Sequence, residues 1–231
     1  MGKDKKKYCV VLPAYGEEKH IAGVVAGIRK YCSDVIVIDD GSQDNTEAEA
    51  KKAGAIVLRH GVNRGKGVAL ETGFTYVKEH GYSFVITMDS DGQHAPDDIP
   101  VFVEEYQKSN VPVIIGDRMG HHDHTMPFVR KCTNKFMSWL LSREMGQKVP
   151  DTQSGFRLYH VDVLDFLNTT ASGYAAESEC LLHLSEHGSR IGSVPVKVIY
   201  HGEHSDIHPF TDTIRFFKML RRWRREKKGR D

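Results

Sequence analysis

Two short apolar runs that end abruptly in carboxylates constrain the fold of this chain most. Val35–Ile38 stops at Asp39, and Phe84–Met88 stops at Asp89 and Asp91. Continuous β-branched runs of this length are typical of strands that are buried on both faces, as in parallel sheets. The carboxyl ends of such strands form the ligand-binding edge of an open α/β sheet. The sequence therefore predicts acidic groups gathered at one edge of a buried parallel sheet.

Strand and helix patterns alternate along the first half of the chain. The predicted strands are Tyr8–Leu12, Val35–Ile38, Ala55–Arg59, Phe84–Met88 and Val111–Ile115. The helices predicted between them are Glu18–Cys32, Asn45–Ala53, Gly67–His80 and one that begins at Pro96. This alternation indicates a Rossmann-like, doubly wound and mostly parallel α/β sheet flanked by helices.

The second half has a different pattern. We predict helices at Pro127–Met145 and Glu177–His187, a strand at Ile191–Tyr200, and an amphipathic helix from Pro209 onward. We expect one domain, with a nucleotide half at 1–118, an acceptor half at 119–208 and the C-terminal helix at 209–231.

The composition is that of a globular protein, with 39% hydrophobic and 27% charged residues in a chain of 231. A net charge of +1 gives no overall indication of a nucleic-acid partner. The four cysteines are scattered, which favours a reducing compartment. The charged N-terminus is followed by too short an apolar run for a signal peptide, and no run approaches the length of a bilayer span. We expect a cytoplasmic protein that lies on a membrane without crossing it.

The C-terminal segment carries the membrane prediction. Between Arg215 and Arg230 there are nine Lys or Arg residues and one Glu, interleaved with Phe and Trp. A basic, aromatic, amphipathic helix fits a position in the interface of an anionic membrane. The alternative is a helix packed on the core with a solvated basic edge.

A divalent-cation site is predicted where the Phe84–Met88 strand ends. Asp89 and Asp91 are two residues apart, and Gln93 adds an amide. Mg²⁺ takes one or two such carboxylates and completes its coordination with substrate phosphates. A polar turn is the alternative. The Asn63–Gly67 segment lacks the spacing and the Ser/Thr of a P-loop, and no dinucleotide-binding glycine pattern follows the first strand.

Several motifs occur together and in a characteristic order. They are Leu12–Glu17, Asp39–Ser42 with Asp44 and Thr46, Asn63–Gly67, and Asp89–Gln93. In order and spacing this set resembles the family 2 glycosyltransferases. The later Asp151–Arg157 segment is similar to the branch that acts on dolichyl phosphate and polyprenyl phosphate. The resemblance implies a GT-A fold, a nucleoside-diphosphate-sugar donor (UDP or GDP), Mg²⁺ or Mn²⁺, and inversion at the anomeric carbon.

Donor contacts can be assigned to individual residues. Tyr15 and Glu17 follow the first strand, where an aromatic face and a carboxylate suit a base and a ribose, although an ordinary loop has the same pattern. The resemblance implies that Asp39 contacts the nucleobase and that Lys66 contacts the base or the diphosphate. It also implies that Asp89, Asp91 and Gln93 bind the metal and the diphosphate. Arg118 follows a strand at the same sheet edge and offers a second positive charge. Two further residues of these motifs complete the predicted donor set, namely Pro13 and Ser90.

Acceptor contacts are expected between Asp151 and Arg157. A hydroxyl acceptor needs a general base, for which Asp151 and Glu177 are candidates. A lipid phosphate is already ionised and needs cations instead, and the available ones are Arg130, Lys131 and Arg157. Glu177 and Glu179 match an acidic pair of the family, but being two apart they do not share a helix face.

Other interpretations stay open at this point. The acceptor is a polyprenyl phosphate or the hydroxyl of a glycan or glycolipid, and a non-catalytic sugar-nucleotide-binding module has the same motifs. A separate membrane protein is a possible partner. We interpret His121–His124 as a polar loop tip, and His208 is a candidate for the site metal.

Overall fold

The computed structural model describes residues 7–120, 128–167, 174–199 and 209–228. Its strands are β1 (Tyr8–Ala14), β2 (Val35–Asp39), β3 (Ile56–Arg59), β4 (Phe84–Thr87), β5 (Val113–Asp117), β6 (Arg157–His160) and β7 (Ile191–Pro195). Its α-helices are α1 (Ile21–Ile28), α2 (Thr46–Lys52), α3 (Lys66–Glu79), α4 (Ile99–Ser109), α5 (Phe128–Met145), α6 (Tyr174–Glu186) and α7 (Pro209–Lys228). The predicted histidine sites at His121–His124, His201, His204 and His208 lie outside the described residues.

The seven strands form one sheet in the order β3-β2-β1-β4-β6-β5-β7. All neighbouring pairs are parallel except those of β6, which runs antiparallel to both β4 and β5. The prediction of a doubly wound, mostly parallel sheet is confirmed. The inserted antiparallel strand was not predicted, because Arg157–His160 is too short and too polar to show an apolar run.

Both faces of the central strands are buried, as their sequences require. Every residue of β2 and β4 is buried. Alternate residues enter different clusters, with Val35 and Val37 on one face and Ile36 and Ile38 on the other. Burial of both faces leaves the carboxyl-terminal edge as the place where polar groups of these strands gather.

Pro13 lies inside β1, although the sequence predicted that this strand would end at Leu12. The strand continues to Ala14 because Pro13 and Ala14 still pair with β2, through Ile38 and Asp39. The pairing of β1 with β4 ends at Val11. On the β4 side, the Pro13 carbonyl accepts a hydrogen bond from Ser90. The proline nitrogen, which has no hydrogen to donate, faces the same side, where β4 has already ended.

The C-terminal helix packs on the protein through its apolar face. Four of its residues, Phe216, Met219, Leu220 and Trp223, form a buried cluster with Met137 and Leu141 of α5 and Leu182 of α6. The expectation that this face inserts into a membrane is therefore wrong, because it is already used as core. Ile214 and Phe217 remain 42% and 44% exposed. Among the helices of the described residues, none combines the length and the apolarity of a membrane span.

The packing of α7 can be tested at two aromatic residues, the buried Trp223 and the exposed Phe217. Trp223 is 4% exposed, so we expect Trp223→Ala to lower the free energy of unfolding by about 3–5 kcal/mol, as for other buried aromatic truncations. Phe217→Ala on the exposed side should cost less than about 1 kcal/mol. Urea denaturation of both variants measures this difference. Equal costs would contradict the packing of α7 described here.

Candidate functional site

The acidic groups predicted from the strand ends meet at one edge of the sheet. Asp39 ends β2, and Asp89 and Asp91 follow β4, two strands away. Ser90 is buried and donates from Oγ to the Pro13 carbonyl at 2.8 Å, which ties the end of β4 to β1. The two predicted donor-binding residues Pro13 and Ser90 therefore hold the edge together.

Lys66 lies at the centre of this edge. Its Nζ is 2.6 Å from Asp89 Oδ1 and 2.6 Å from Glu177 Oε1. Desolvation by the surrounding protein works against both charges, but Lys66 and then His94 lower the pKa of the Asp89 carboxyl far below its usual value. Asp89 and Glu177 in turn raise the pKa of Lys66 against the effect of this desolvation. The three groups form one charged cluster drawn from α3, the β4 end and α6.

Asp89 is oriented by two neighbours that the sequence did not single out. His94 is 5% exposed, and its Nε2 is 3.3 Å from Asp89 Oδ2. A Cβ on Gly155 would lie 2.8 Å from both carboxylate oxygens of Asp89. Only glycine lets the backbone approach this closely. The position of Gly155 in the Asp151–Arg157 motif was visible in the sequence, but its partner was not.

Asp40 holds the loop that presents Lys66. Its carboxylate accepts hydrogen bonds from the backbone N–H of Arg64 at 3.0 Å and of Gly65 at 2.6 Å. Oδ1 also lies 2.6 Å from Nδ1 of the buried His60 ring, whose Nε2 is 3.0 Å from Thr72 on α3. Asp40 therefore braces the loop through these hydrogen bonds.

Asp39 is completely buried. One oxygen accepts from the Ser42 N–H at 3.0 Å, and the other lies 3.6 Å from Arg59 Nε. Asp39 therefore shapes the turn after β2, and its contact with a nucleobase stays a prediction. Tyr15, which follows β1, is 53% exposed and is therefore accessible to a ligand. Glu17 is half-buried and its N–H donates to Thr46 Oγ1.

Arg118 and Asp151 form a two-point ion pair. Arg118 Nε is 2.7 Å from Asp151 Oδ2, and Nη2 is 3.0 Å from Oδ1. Asp151 is completely buried and also accepts from the Gln153 N–H. Its carboxylate raises the pKa of Arg118 despite the burial of the guanidinium. This pairing occupies both oxygens of Asp151 and so argues against Asp151 as a general base.

Arg157 lies under the site rather than in it. Its guanidinium donates four hydrogen bonds, to the carbonyls of Ser154, Thr152 and Glu177 and to the Tyr159 hydroxyl. The side chain is 2% exposed. A phosphate contact for Arg157 is therefore not supported by its geometry. The residue instead fixes the 152–154 segment against the first turn of α6.

The two glutamates of α6 point to different partners, as their spacing predicted. Glu177 Oε1 pairs with Lys66, while Oε2 lies 3.6 Å from Arg157 Nη2 and has no hydrogen-bond partner among the described residues. Glu179 pairs with Arg222 of α7. The Lys66–Glu177 pair also borders a cavity of about 370 Å³ between α3 and α6, with apolar walls that include Leu70, Phe74 and Leu164.

The acidic edge fits a divalent cation. Asp89 already holds a cationic ammonium, and Asp91 is half-exposed, with Oδ1 accepting from the Gln93 N–H. Within the described ranges no cluster of three His, Cys, Asp or Glu side chains could hold a metal. Two carboxylates without a third are what Mg²⁺ uses when substrate phosphates supply the other ligands.

Known proteins share this sequence pattern and fold. The model of the family described as glycosyl transferase family 2 matches residues 9–167. The UDP-N-acetylglucosamine–dolichyl-phosphate N-acetylglucosaminyltransferase of Methanococcus voltae is 33% identical, over 85% of this chain and 87% of its own. The polyprenol monophosphomannose synthase of Mycolicibacterium smegmatis is 26% identical, over 81% and 75%. Glucosyl-3-phosphoglycerate synthase of Mycobacterium tuberculosis, crystallised with Mg²⁺ and UDP, is 25% identical with a TM-score of 0.70, over 87% and 74%.

Gly155 provides a test of the Asp89 geometry. The Gly155 carbonyl is fixed by a hydrogen bond from Thr87, so in Gly155→Ala the Asp89 carboxylate must move away from Lys66 and His94. We expect the affinity for Mn²⁺ in the presence of UDP to fall at least about tenfold, since 1.4 kcal/mol of lost interaction suffices. Isothermal titration calorimetry measures it.

Gly23→Ala is the matched control, because a Cβ on Gly23 meets no atom within 4 Å. This variant should bind Mn²⁺ in the presence of UDP as tightly as the parent does, and its melting temperature should not be lower. A Gly155→Ala protein with unchanged Mn²⁺ affinity would show that the close approach to Asp89 is not needed.

Proposed function

This chain belongs to glycosyl transferase family 2, and we propose that it transfers a hexose or N-acetylhexosamine from a nucleoside-diphosphate sugar to a polyprenyl phosphate. The observation that carries this proposal is the cluster of Lys66, Asp89 and Glu177 at the ligand-binding edge of the sheet. The named activities of the archaeal and mycobacterial relatives support the lipid phosphate acceptor.

The donor's diphosphate is proposed to lie against Asp89, Asp91 and Lys66. Asp89 and Asp91, with Gln93, would hold Mg²⁺ or Mn²⁺, and this ion when bound neutralises charge on the departing nucleoside diphosphate. Lys66 donates to the diphosphate from the other side. Tyr15 offers its exposed ring to the base. A uridine nucleotide is favoured by the name of the archaeal relative and by the UDP bound in the similar crystal structure.

A polyprenyl phosphate requires no general base. Its oxygens are ionised near neutral pH, so it can attack the anomeric carbon directly and invert it in one displacement. Its charge must still be held. Of the cations considered, Arg157 is committed to the protein, the Arg130 side chain lies outside the described part, and Lys131 on α5 is half-exposed. Lys131 and Arg130 therefore remain the candidates for the acceptor phosphate.

A hydroxyl acceptor is the second candidate, because one observation favours it. The Glu177 side chain pairs with Lys66 through Oε1, and its Oε2 makes no hydrogen bond within the described residues, so Glu177 is the candidate general base for such an acceptor. Asp151 is not available in the same way, since Arg118 occupies it. The similar crystal structure belongs to an enzyme named for a phosphoglycerate product, not a lipid.

Membrane association is proposed to use the exposed stripe of α7. Its exposed residues Ile214, Phe217, Lys218, Arg221 and Arg225 recur at helical spacing opposite the buried face. Apolar and basic side chains together suit the surface of an anionic bilayer. The stripe would place the acceptor half of the chain on the cytoplasmic face of the membrane that holds the lipid, with or without a membrane protein partner.

Transfer itself can be measured with the purified chain. With UDP-N-acetylglucosamine, Mn²⁺ and dolichyl phosphate in detergent, we expect a sugar-labelled product that extracts into organic solvent and is cleaved by mild acid. Asp91→Ala should lower the rate at least about 100-fold, because charge on the leaving group is no longer neutralised. Asp162→Ala, at a side chain that is 81% exposed, is the control.

Three other results would contradict the proposal. An aqueous, acid-stable product would indicate a hydroxyl acceptor. Binding of the donor without transfer or hydrolysis would indicate a non-catalytic module. An Asp91→Ala protein as active as the parent would remove the assigned metal site from the reaction.

The membrane proposal is tested by charge reversal rather than truncation, because truncation would remove Trp223 from the core. Each basic residue at an anionic surface contributes about 1 kcal/mol. The combined change Lys218→Glu, Arg221→Glu and Arg225→Glu should therefore weaken sedimentation with phosphatidylserine vesicles by at least about 100-fold. Lys30→Glu, Lys52→Glu and Lys108→Glu make the same charge change elsewhere on the surface and should leave sedimentation unaltered. Equal loss in both triple variants would refute a specific docking stripe.

A further inference from the structure

The Lys66 ammonium occupies the place of a cation at the proposed metal site. Nζ lies 2.6 Å from an oxygen of Asp89, which is a proposed metal ligand, and 2.6 Å from an oxygen of Glu177. A divalent ion that coordinates Asp89 Oδ1 needs the same lone pairs that the ammonium now uses. Lysine and metal therefore compete for one carboxylate.

The placement of Lys66 is built into the fold. Lys66 is the first residue of α3, and Gly65 before it has a φ of +92°, which favours glycine. The Gly65 N–H is held by Asp40, and Asp40 is held by the buried His60. These contacts deliver the lysine side chain to Asp89, so the pairing does not depend on a chance surface contact.

Charge explains why the edge needs such a cation. Asp89 and Glu177 each place a carboxylate oxygen 2.6 Å from the Lys66 ammonium, which therefore compensates the negative charge of both side chains. A divalent ion can replace the ammonium at Asp89, but the displaced ammonium then needs a new anionic partner. A diphosphate is such a partner, since lysine is a mobile point charge with three rotatable donors.

We propose that Lys66 is a built-in competitor of the divalent cation, and that it couples the binding of metal and nucleotide. Without nucleotide, the lysine stays on Asp89 and metal binds weakly. When a nucleoside diphosphate is present, Lys66 moves to its phosphates and frees Asp89 for the metal. This inference rests on the proposed function, and it adds that metal and donor enter the site together.

The coupling predicts opposite effects of one substitution. Lys66→Met removes the charge and keeps most of the unbranched side chain. We expect Mn²⁺ alone to bind roughly tenfold tighter, and UDP without metal to bind roughly tenfold weaker, within the usual range of coupling between sites. Calorimetric titrations of Mn²⁺ alone, UDP alone and Mn²⁺ at saturating UDP give the required constants.

Lys78→Met is the matched control. Lys78 lies on the same helix and makes a lysine–aspartate pair of the same length, 2.6 Å, with Asp165. Loss of the Lys78 charge should leave the dissociation constants for Mn²⁺ and UDP unchanged. Lys66→Arg retains the charge and should keep binding of Mn²⁺ alone as weak as in the parent. Thermal melting of each variant identifies any loss of fold.

The outcomes separate the coupling from the function. Weaker or unchanged binding of Mn²⁺ alone in Lys66→Met overturns the competition, even if UDP still binds with metal. Failure of the parent chain to bind any of UDP, GDP, CDP or dTDP with Mn²⁺ overturns the proposed function as well. Tighter Mn²⁺ binding with weaker UDP binding supports the proposal.

Discussion

The structure depends on charge compensation at the carboxyl edge of a buried sheet. Buried or half-buried charges are tolerated only when they are paired and hydrogen-bonded. Here three cations meet that requirement, with Lys66 on Asp89 and Glu177, Arg118 on Asp151, and Arg157 beside Glu177. Lys66 and Glu177 are 111 residues apart. The pairing therefore fixes α6 of the second half against α3 of the first.

The second half of the chain supports this edge from behind. Arg157 starts β6, the antiparallel strand between β4 and β5, and its hydrogen bonds reach the backbone at Glu177. Helix α6 then packs against α7, where Arg222 pairs with Glu179. Glu177 of α6 thus faces the site, and Glu179 anchors the C-terminal helix. The burial of Trp223 and the position of Glu177 belong to the same packing arrangement.

Much of the fold could be predicted from the sequence, and the misses have physical causes. Val35–Ile38 and Phe84–Met88 were recognisable because burial on both faces selects uninterrupted apolar runs. Strand β6 has no such run, since one of its residues is the buried Arg157, which donates hydrogen bonds to the carbonyls of Thr152, Ser154 and Glu177. Helix α7 shows an apolar face, but the sequence does not say whether protein or lipid covers it. The motifs located the site, while the contacts of His94, His60 and Gly155 depend on tertiary structure.

Exposure separates the residues that hold the site from those that can touch a ligand. Asp39 and Asp151 are fully buried and Arg157 is 2% exposed, so each acts by shaping the backbone around the site. Tyr15 is 53% exposed, and the side chains of Lys66 and Asp89 are 40% and 31% exposed. A motif match does not distinguish these two groups, because both are needed for the same geometry. We therefore propose that few side chains carry the ligand chemistry at this edge, and that Lys66 is central among them because its proposed role requires a change of partner.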